Sequence, residues 1–254
     1  MTLAADLRSL GLAAGDRVVA HSSARAVGEA PDAIVDALLE VVGRDGLLVV
    51  PAFTYDTARF DPAVEPGREG AVAEAVRLRP GAVRSLHPSH SVAALGAGAA
   101  ELCAGHELLA AADVDSPLDR LARAGGHVLL LGVGRVADTT VHVGEFRAGA
   151  PYLHVPFSPD WPRVHEIVAD GRIRTVEYDR FPGCSRAFGV VERGLRERAS
   201  IRDGFVGRAI AQLARGEDVI DEAVALLEAD AGALLCTDPR CYRCTNARTE
   251  LGRA

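Results

Sequence analysis

The stretch His127-Val-Leu-Leu-Leu-Gly-Val-Gly-Arg-Val-Ala-Asp-Thr-Thr-Val-His-Val-Gly-Glu145 is where the fold class of this chain is read. Its first part, from His127 to Val133, is an apolar run of the length of a buried strand, closed by Gly132 and Gly134. Asp138 then stands where a helix N-cap belongs, with a carboxylate able to accept from an orphan backbone N–H. If residues 139–146 are helical, Asp138, His142 and Glu145 fall four and three residues apart on one face. A histidine flanked by carboxylates has its tautomer fixed and its basicity raised, which general-base chemistry requires. The same spacing also describes an ordinary solvated face, so the rest of the chain has to decide.

Outward from this stretch, strand and helix signals alternate. Arg17-Val-Val-Ala-His-Ser22 and Leu47-Leu-Val-Val-Pro-Ala-Phe53 read as strands, separated by a helix that opens at Pro31 and stops at Gly43. A short helix precedes them (Leu3, Leu7, Leu10), and further helical patterns cover 71–78, 97–103 and 118–124, with a short strand at 92–96. Past Pro151 the runs shorten, and Asp170-Gly171 between 164–168 and 173–178 predicts a hairpin. Helices are expected at 190–198, 206–213 and 218–230. The alternation predicts α/β architecture in one domain over residues 1–254, ending in a cysteine-containing tail at 235–254.

Composition narrows the chemistry. All 28 basic residues are arginine, which removes a Walker-type phosphate loop, a Schiff-base lysine and Ser-x-x-Lys chemistry. The net charge of −7 argues against nucleic acid and for cationic partners. No apolar run reaches membrane-spanning length, the N-terminus lacks signal-peptide order, and the five cysteines form no secreted pattern. The expectation is a cytoplasmic protein with no membrane partner.

Several motifs have plain structural readings. Gly132-x-Gly134-x-x-Ala137 has the place of a dinucleotide fingerprint, but no acidic residue closes a second strand, and a tight turn explains the glycines. A nucleophile elbow is absent, since Gly183-Cys-Ser-Arg-Ala187 lacks its second glycine. Cys236-x4-Cys241-x2-Cys244 could bind zinc if Cys184, Cys103 or a histidine supplied a fourth ligand; reduced thiols are the alternative, and no metal is assigned.

Seven segments in order carry a resemblance. They are His21-Ser-Ser-Ala-Arg-Ala-Val-Gly28, Pro51-Ala-Phe-Thr54, Arg84-Ser-Leu-His-Pro-Ser-His-Ser-Val-Ala-Ala-Leu-Gly96, Ser116-Pro-Leu-Asp-Arg-Leu121, Val128-Leu-Leu-Leu-Gly-Val-Gly134, Thr139-Thr-Val-His-Val-Gly-Glu-Phe-Arg147 and Gly204-Phe-Val-Gly-Arg-Ala209. Together the chain resembles the aminoglycoside 3-N-acetyltransferases, which are distinct from the GNAT acetyltransferases. The resemblance implies acetyl transfer from acetyl-CoA to an amine, on a three-layer α/β/α sandwich around a central mixed sheet. His142 matches the family's base position, with Glu145 or Asp138 to orient it. Ser22, Ser23, Arg25, Val27, Gly28, Thr54, Arg84, Ser85, Leu86, His87 and Ser91 lie on or beside the segments that match the CoA-binding ones. The tail and the Gly183-Cys-Ser185 turn resemble a sub-branch rather than the best-known resistance enzymes.

The chemistry asked of these residues is definite. An ammonium must lose a proton before it attacks a thioester, and His142 could take it. The carbonyl oxygen turns anionic and needs a donor, such as a backbone N–H or the hydroxyl of Ser22 or Thr54. A polycationic amine needs carboxylates, for which Asp56, Asp61, Asp113, Asp115 and Asp160 are candidates. Two other readings remain: a non-catalytic CoA-binding protein on the same fold, and an acyltransferase using Cys184 as nucleophile. The amine and the oligomeric state, monomer or homodimer, stay open.

Overall fold

The fold is taken from a computed structural model that describes residues 2–252. Along the chain run α1 (Leu3–Leu10), β1 (Arg17–Ser22), α2 (Ala24–Val27), α3 (Pro31–Val42), β2 (Leu47–Pro51), β3 (Arg59–Phe60), α4 (Ala71–Arg77), β4 (Val83–Arg84) and β5 (Val92–Gly96). There follow α5 (Ala99–Cys103), α6 (Pro117–Arg123), β6 (His127–Leu131), α7 (Thr140–Arg147), β7 (Val164–Ala169) and β8 (Arg172–Glu177). The chain closes with α8 (Gly189–Glu197), β9 (Ile201–Val206), β10 (Ala209–Arg215), α9 (Gly216–Ala229) and α10 (Tyr242–Glu250).

The main sheet has the order β4-β5-β2-β1-β6-β10-β9. Its centre is parallel, β1 pairing with β2 and β6, and its flanks are antiparallel. Alternation along the central strands splits the core in two. Val19, Val49, Val128 and Leu130 pack under α5 to α10, whereas Val18, Ala20, Leu48, Val50, Leu129 and Leu131 pack under α1 to α4. A sheet covered on both faces needs such continuous apolar strands, and each fully buried Val or Leu contributes about 1.5–3 kcal/mol. This is the expected three-layer sandwich.

One expected helix is a hairpin. Residues 206–213 place Val206, Ala209, Ile210 and Leu213 at near-helical intervals, yet β9 and β10 form there, joined by Gly207 and Arg208. Val206, Ala209, Ala211 and Leu213 are buried while Ile210 is exposed, a period of two that docks one face of the hairpin on the core. Gly207 supplies the positive φ of 58° that such a two-residue connection needs. The Asp170-Gly171 hairpin is present as expected, and β7 and β8 with β3 form a second, smaller sheet.

The carboxyl ends of β1, β2 and β6, the start of β5 and the start of β10 all meet at one edge of the main sheet. Ligand crevices of α/β folds open at such an edge. Among the described residues no helix is long and apolar enough to cross a membrane.

Candidate active site

β6 ends at Gly132, whose φ of 71° turns the chain while its missing Cβ lets Ala26 of α2 approach; a Cβ there would lie 2.5 Å from that of Ala26. The tight-turn reading is realised at Gly132, whereas Gly134 is in extended backbone at a φ of −90°. The chain then enters α7, which is buried from Thr140 to Phe146.

On α7 the His142 Nδ1 and the Glu145 Oε2 lie 2.6 Å apart. Glu145 is fully buried, and two more donors hold it: the Tyr152 hydroxyl to Oε1 at 2.9 Å and the Gly183 N–H to Oε2 at 2.8 Å. Burial alone would push its carboxyl up. The hydrogen bond and charge of His142, the Arg243 charge and the Gly183 N–H outweigh that, so Glu145 sits below its usual range. Tyr152 is pushed upward by burial and then by Glu145, which keeps its hydroxyl protonated as a donor. Only glycine fits at position 183, because a Cβ there would collide with Glu145 Oε1. Phe188 packs edge-on against the imidazole at 4.8 Å between centroids. With Nδ1 held by the carboxylate, Nε2 is the ring nitrogen left to the cleft.

Asp138 does not orient His142. It precedes α7 in extended backbone, and its carboxylate accepts from Arg135 Nη1 at 2.6 Å and from the Thr140 N–H at 3.0 Å. It thus satisfies a helix-start N–H as the cap reading expected, but it is tied to a buried arginine. His21 of β1 lies 4.0 Å from it, its pKa lowered by burial to about 4.

The cleft over His142 encloses about 500 Å³ of empty space open to solvent. Its walls include Phe53, Tyr55, Glu69, Asp138, Thr139 and Phe157. The Thr139 hydroxyl is buried and has no hydrogen-bond partner among the described residues. Tyr55 holds a left-handed φ of 57°, unusual for a bulky residue, and donates its hydroxyl to Glu69. Burial raises the Glu69 carboxyl above its ordinary range.

The residues expected at CoA divide into two groups. In the first, Ser23 caps α2 by accepting the Ala26 N–H at 3.3 Å, Ser22 is half-buried at the end of β1, and Arg25 is exposed with no partner among the described residues. Gly28 ends α2 at a φ of 83°, and the Arg208 guanidinium of the β9–β10 turn lies across it, in the space a Cβ would take. Val27 is buried in the core and offers no side chain.

The second group is structural, a correction to the expectation. Arg84 directs Nε to Ser91 Oγ at 3.0 Å, Nη2 to Ala52 O at 2.7 Å and Nη1 to the carbonyls of Pro62 and Glu65, which leaves no fork for a phosphate. Ser85 bonds His106 Nδ1 and accepts the Val92 N–H, and Ser91 donates to Ala52 O. His87 is buried against Tyr178 and His106, and Thr54 donates to Pro88 O, which removes it as a carbonyl donor. Leu86 is half-buried beside them.

The acids expected at the amine fare similarly. Asp113 is paired with Arg180, Asp115 with Arg120 and Arg123, and Asp56 with Arg68; Asp61 accepts the Ala63 N–H of its own turn, and Asp160 is exposed. The carboxylates that line the cleft are Glu69 and Asp138. Sequence reasoning missed Glu69, Tyr152, Thr139 as a free hydroxyl, and the Gly183 N–H. Of these, Thr139 and Gly183 lay inside quoted motifs, neither for the role it has here. Cys184 was weighed as a nucleophile, but its sulfur is hydrogen-bonded among thiols rather than to a base.

Comparison with known proteins gives the family. A family model described as aminoglycoside 3-N-acetyltransferase matches residues 19–228. Aminoglycoside N(3)-acetyltransferase VII of Streptomyces paromomycinus is 37% identical, with 91% of each chain covered. The crystal structure of a histidine-to-alanine mutant of aminoglycoside acetyltransferase AAC(3)-IVa in complex with a gentamicin superposes with a TM-score of 0.86 at 32% identity, covering 98% of this chain and 95% of that one. The AAC-IIIb binary structure with CoASH gives 0.78 at 28% identity, covering 89% and 95%. The match thus runs through both the His142 helix and the α2 loop, and the chain belongs to the aminoglycoside 3-N-acetyltransferase family, acyltransferases whose acetyl donor is acetyl-CoA.

Proposed function

We propose that this chain acetylates an amino group of an aminoglycoside by direct transfer from acetyl-CoA, with His142 as the base. One observation carries the reading: Glu145 holds His142 through Nδ1, which leaves Nε2 facing an open cleft. The ammonium first loses one proton to solvent; the neutral amine then adds to the thioester carbonyl while the Nε2 lone pair takes a second proton from its nitrogen. Thr139, a buried hydroxyl with unused donor capacity on the same wall, stabilises the oxyanion. Collapse of the tetrahedral intermediate expels the CoA thiolate, which takes the proton back from His142. Glu145 stays ionised throughout and stabilises the imidazolium.

Arg25 and Arg208, on either side of Gly28, meet the CoA phosphates, since the chain has no lysine and Arg84 is committed elsewhere. Glu69, held by Tyr55, meets a cationic amine of the acceptor. A gentamicin-bound relative favours an antibiotic acceptor and hence a role in resistance. The test is thiol release from acetyl-CoA across a panel of aminoglycosides and polyamines, with the acetylated position determined by NMR. Turnover of polyamines but of no aminoglycoside would overturn the acceptor. An acetylated Cys184 peptide trapped with acetyl-CoA alone would overturn direct transfer.

A further inference from the structure

At the turn whose Gly183 N–H holds Glu145, four cysteines converge. Cys184 comes from the turn after β8, Cys236 from the segment after α9, and Cys241 and Cys244 from the start of α10. Their sulfurs all lie within 4.8 Å of one another. All four are free thiols, and three of them are buried. A tetrahedral ion with Zn–S bonds of about 2.3 Å needs sulfurs roughly 3.8 Å apart, a small contraction of this cage. The cage holds a single ion and is too small for an iron–sulfur cluster.

Two further features point to a bound cation rather than four packed thiols. Backbone N–H groups are aimed at three of the sulfurs: Cys236 N–H at Cys244 Sγ, at 3.3 Å, Arg186 N–H at Cys184 and Cys244 N–H at Cys241. Such donors stabilise thiolate charge and recur around metal-bound sulfur. The second feature is Arg243, which is 1% exposed. Its Nη2 donates to Phe181 O at 2.7 Å, but Nε and Nη1 have no hydrogen-bond partner among the described residues. A buried guanidinium needs negative charge, and the nearest carboxylate, Glu145, is already shared with His142. With four neutral thiols, compensation of Arg243 would rest on that shared carboxylate and on the ring faces of Tyr152 and Phe157. Four thiolates around a divalent ion leave a residual double negative charge beside it.

We propose that Cys184, Cys236, Cys241 and Cys244 hold one structural zinc ion, which pins the 181–185 turn so that the Gly183 N–H stays on Glu145. The site is closed, with four sulfur ligands and no open position, so the ion has no part in acetyl transfer. Its effect on the reaction is positional. Gly183 is joined directly to Cys184, and Arg243, adjacent to Cys244, anchors the same turn through Phe181 O.

Elemental analysis of untagged protein, purified without added metal, tests the site. About one zinc per chain is expected, with all four thiols slow to react with a disulfide reagent until the protein is unfolded in the presence of a chelator. Protein refolded with cobalt should show the intense visible bands of a tetrahedral thiolate site. Metal-free protein with thiols that react freely while folded, iron in place of zinc, or a mass that reveals a disulfide overturns the proposal. Cys241→Ser should lose the zinc and about tenfold in kcat while its Kd for acetyl-CoA stays within about twofold. A zinc-free Cys241→Ser with unchanged kcat overturns the link to Glu145. If that variant does not fold, the zinc content and cobalt spectrum of the natural protein still decide the site.

Discussion

Two polar, histidine-bearing segments meet at the same edge of the main sheet: 138–145 at the start of α7, and 84–91 from β4 to β5. They look alike in sequence, and both match the family's motifs. In 84–91 the polar groups turn onto the chain itself: Arg84 onto three backbone carbonyls around β2 and the following loop, Ser85 onto His106, Ser89 onto His90, Ser91 onto Ala52. In 138–145 the bonds of Glu145 fix one side of His142 and leave its Nε2 to the cleft, while the Thr139 hydroxyl, buried in the cleft wall, has no partner among the described residues. Residue type does not separate a reactive segment from a structural one. A buried carboxylate that holds one imidazole nitrogen and leaves the other to an open cleft does; His87, whose Nε2 also lacks a partner among the described residues, has no such carboxylate on its Nδ1.

The largest expected effect breaks the contrast at its centre. His142→Ala should lower turnover by roughly 10²–10⁴-fold and leave the Kd for acetyl-CoA nearly intact. Single-turnover kinetics beside equilibrium binding separate the two, and near-normal turnover would remove His142 from the mechanism. Next comes a pair of arginines that should behave oppositely. Arg84→Ala strips partners from several carbonyls and should lower unfolding stability by at least about 2 kcal/mol with little change in KM for acetyl-CoA. Arg25→Ala should leave stability within about 0.5 kcal/mol and raise that KM about tenfold. If denaturant titrations and initial rates show the two variants exchanging these phenotypes, the division of the CoA loops is wrong.

A smaller effect sharpens the dyad. Tyr152→Phe removes one hydrogen bond to a buried carboxylate and should cost about tenfold in kcat. A rate equal to that of the natural protein would show that the Gly183 N–H alone suffices to hold Glu145.

The smallest change is a slope, and it belongs to the structural segment. Burial lowers the pKa of His90 to about 3 and that of His106 to about 4. The unfolded chain has its histidines near about 6.5, so on acidification it takes up protons that the folded chain refuses. The stability these histidines contribute is complete above pH about 6.5 and declines as pH falls toward about 4, by about 1.4 kcal/mol per pH unit for each. His106→Gln should flatten the dependence by one such increment in urea titrations at pH 7 and 5. Parallel curves for the two proteins would show that His106 is not held neutral.

By itself the sequence determined what depends on local periodicity and covalent nearness. The apolar runs of β1, β2 and β6 specify a doubly covered sheet because side chains alternate along a strand whatever surrounds it. His142 and Glu145 were legible as a pair because three residues on a helix place two side chains together. The hairpin at 201–215 was not legible, since its Ala-rich spacing fits both periods and only docking on the core chooses the strand. The fate of Arg84, the arrival of Gly183 and Tyr152 at Glu145, and the meeting of Cys184 with Cys236, Cys241 and Cys244 were decided by tertiary structure alone. Each joins groups from separate elements, and hydrogen-bond partners at that range are set by how the layers pack, which no local spacing encodes.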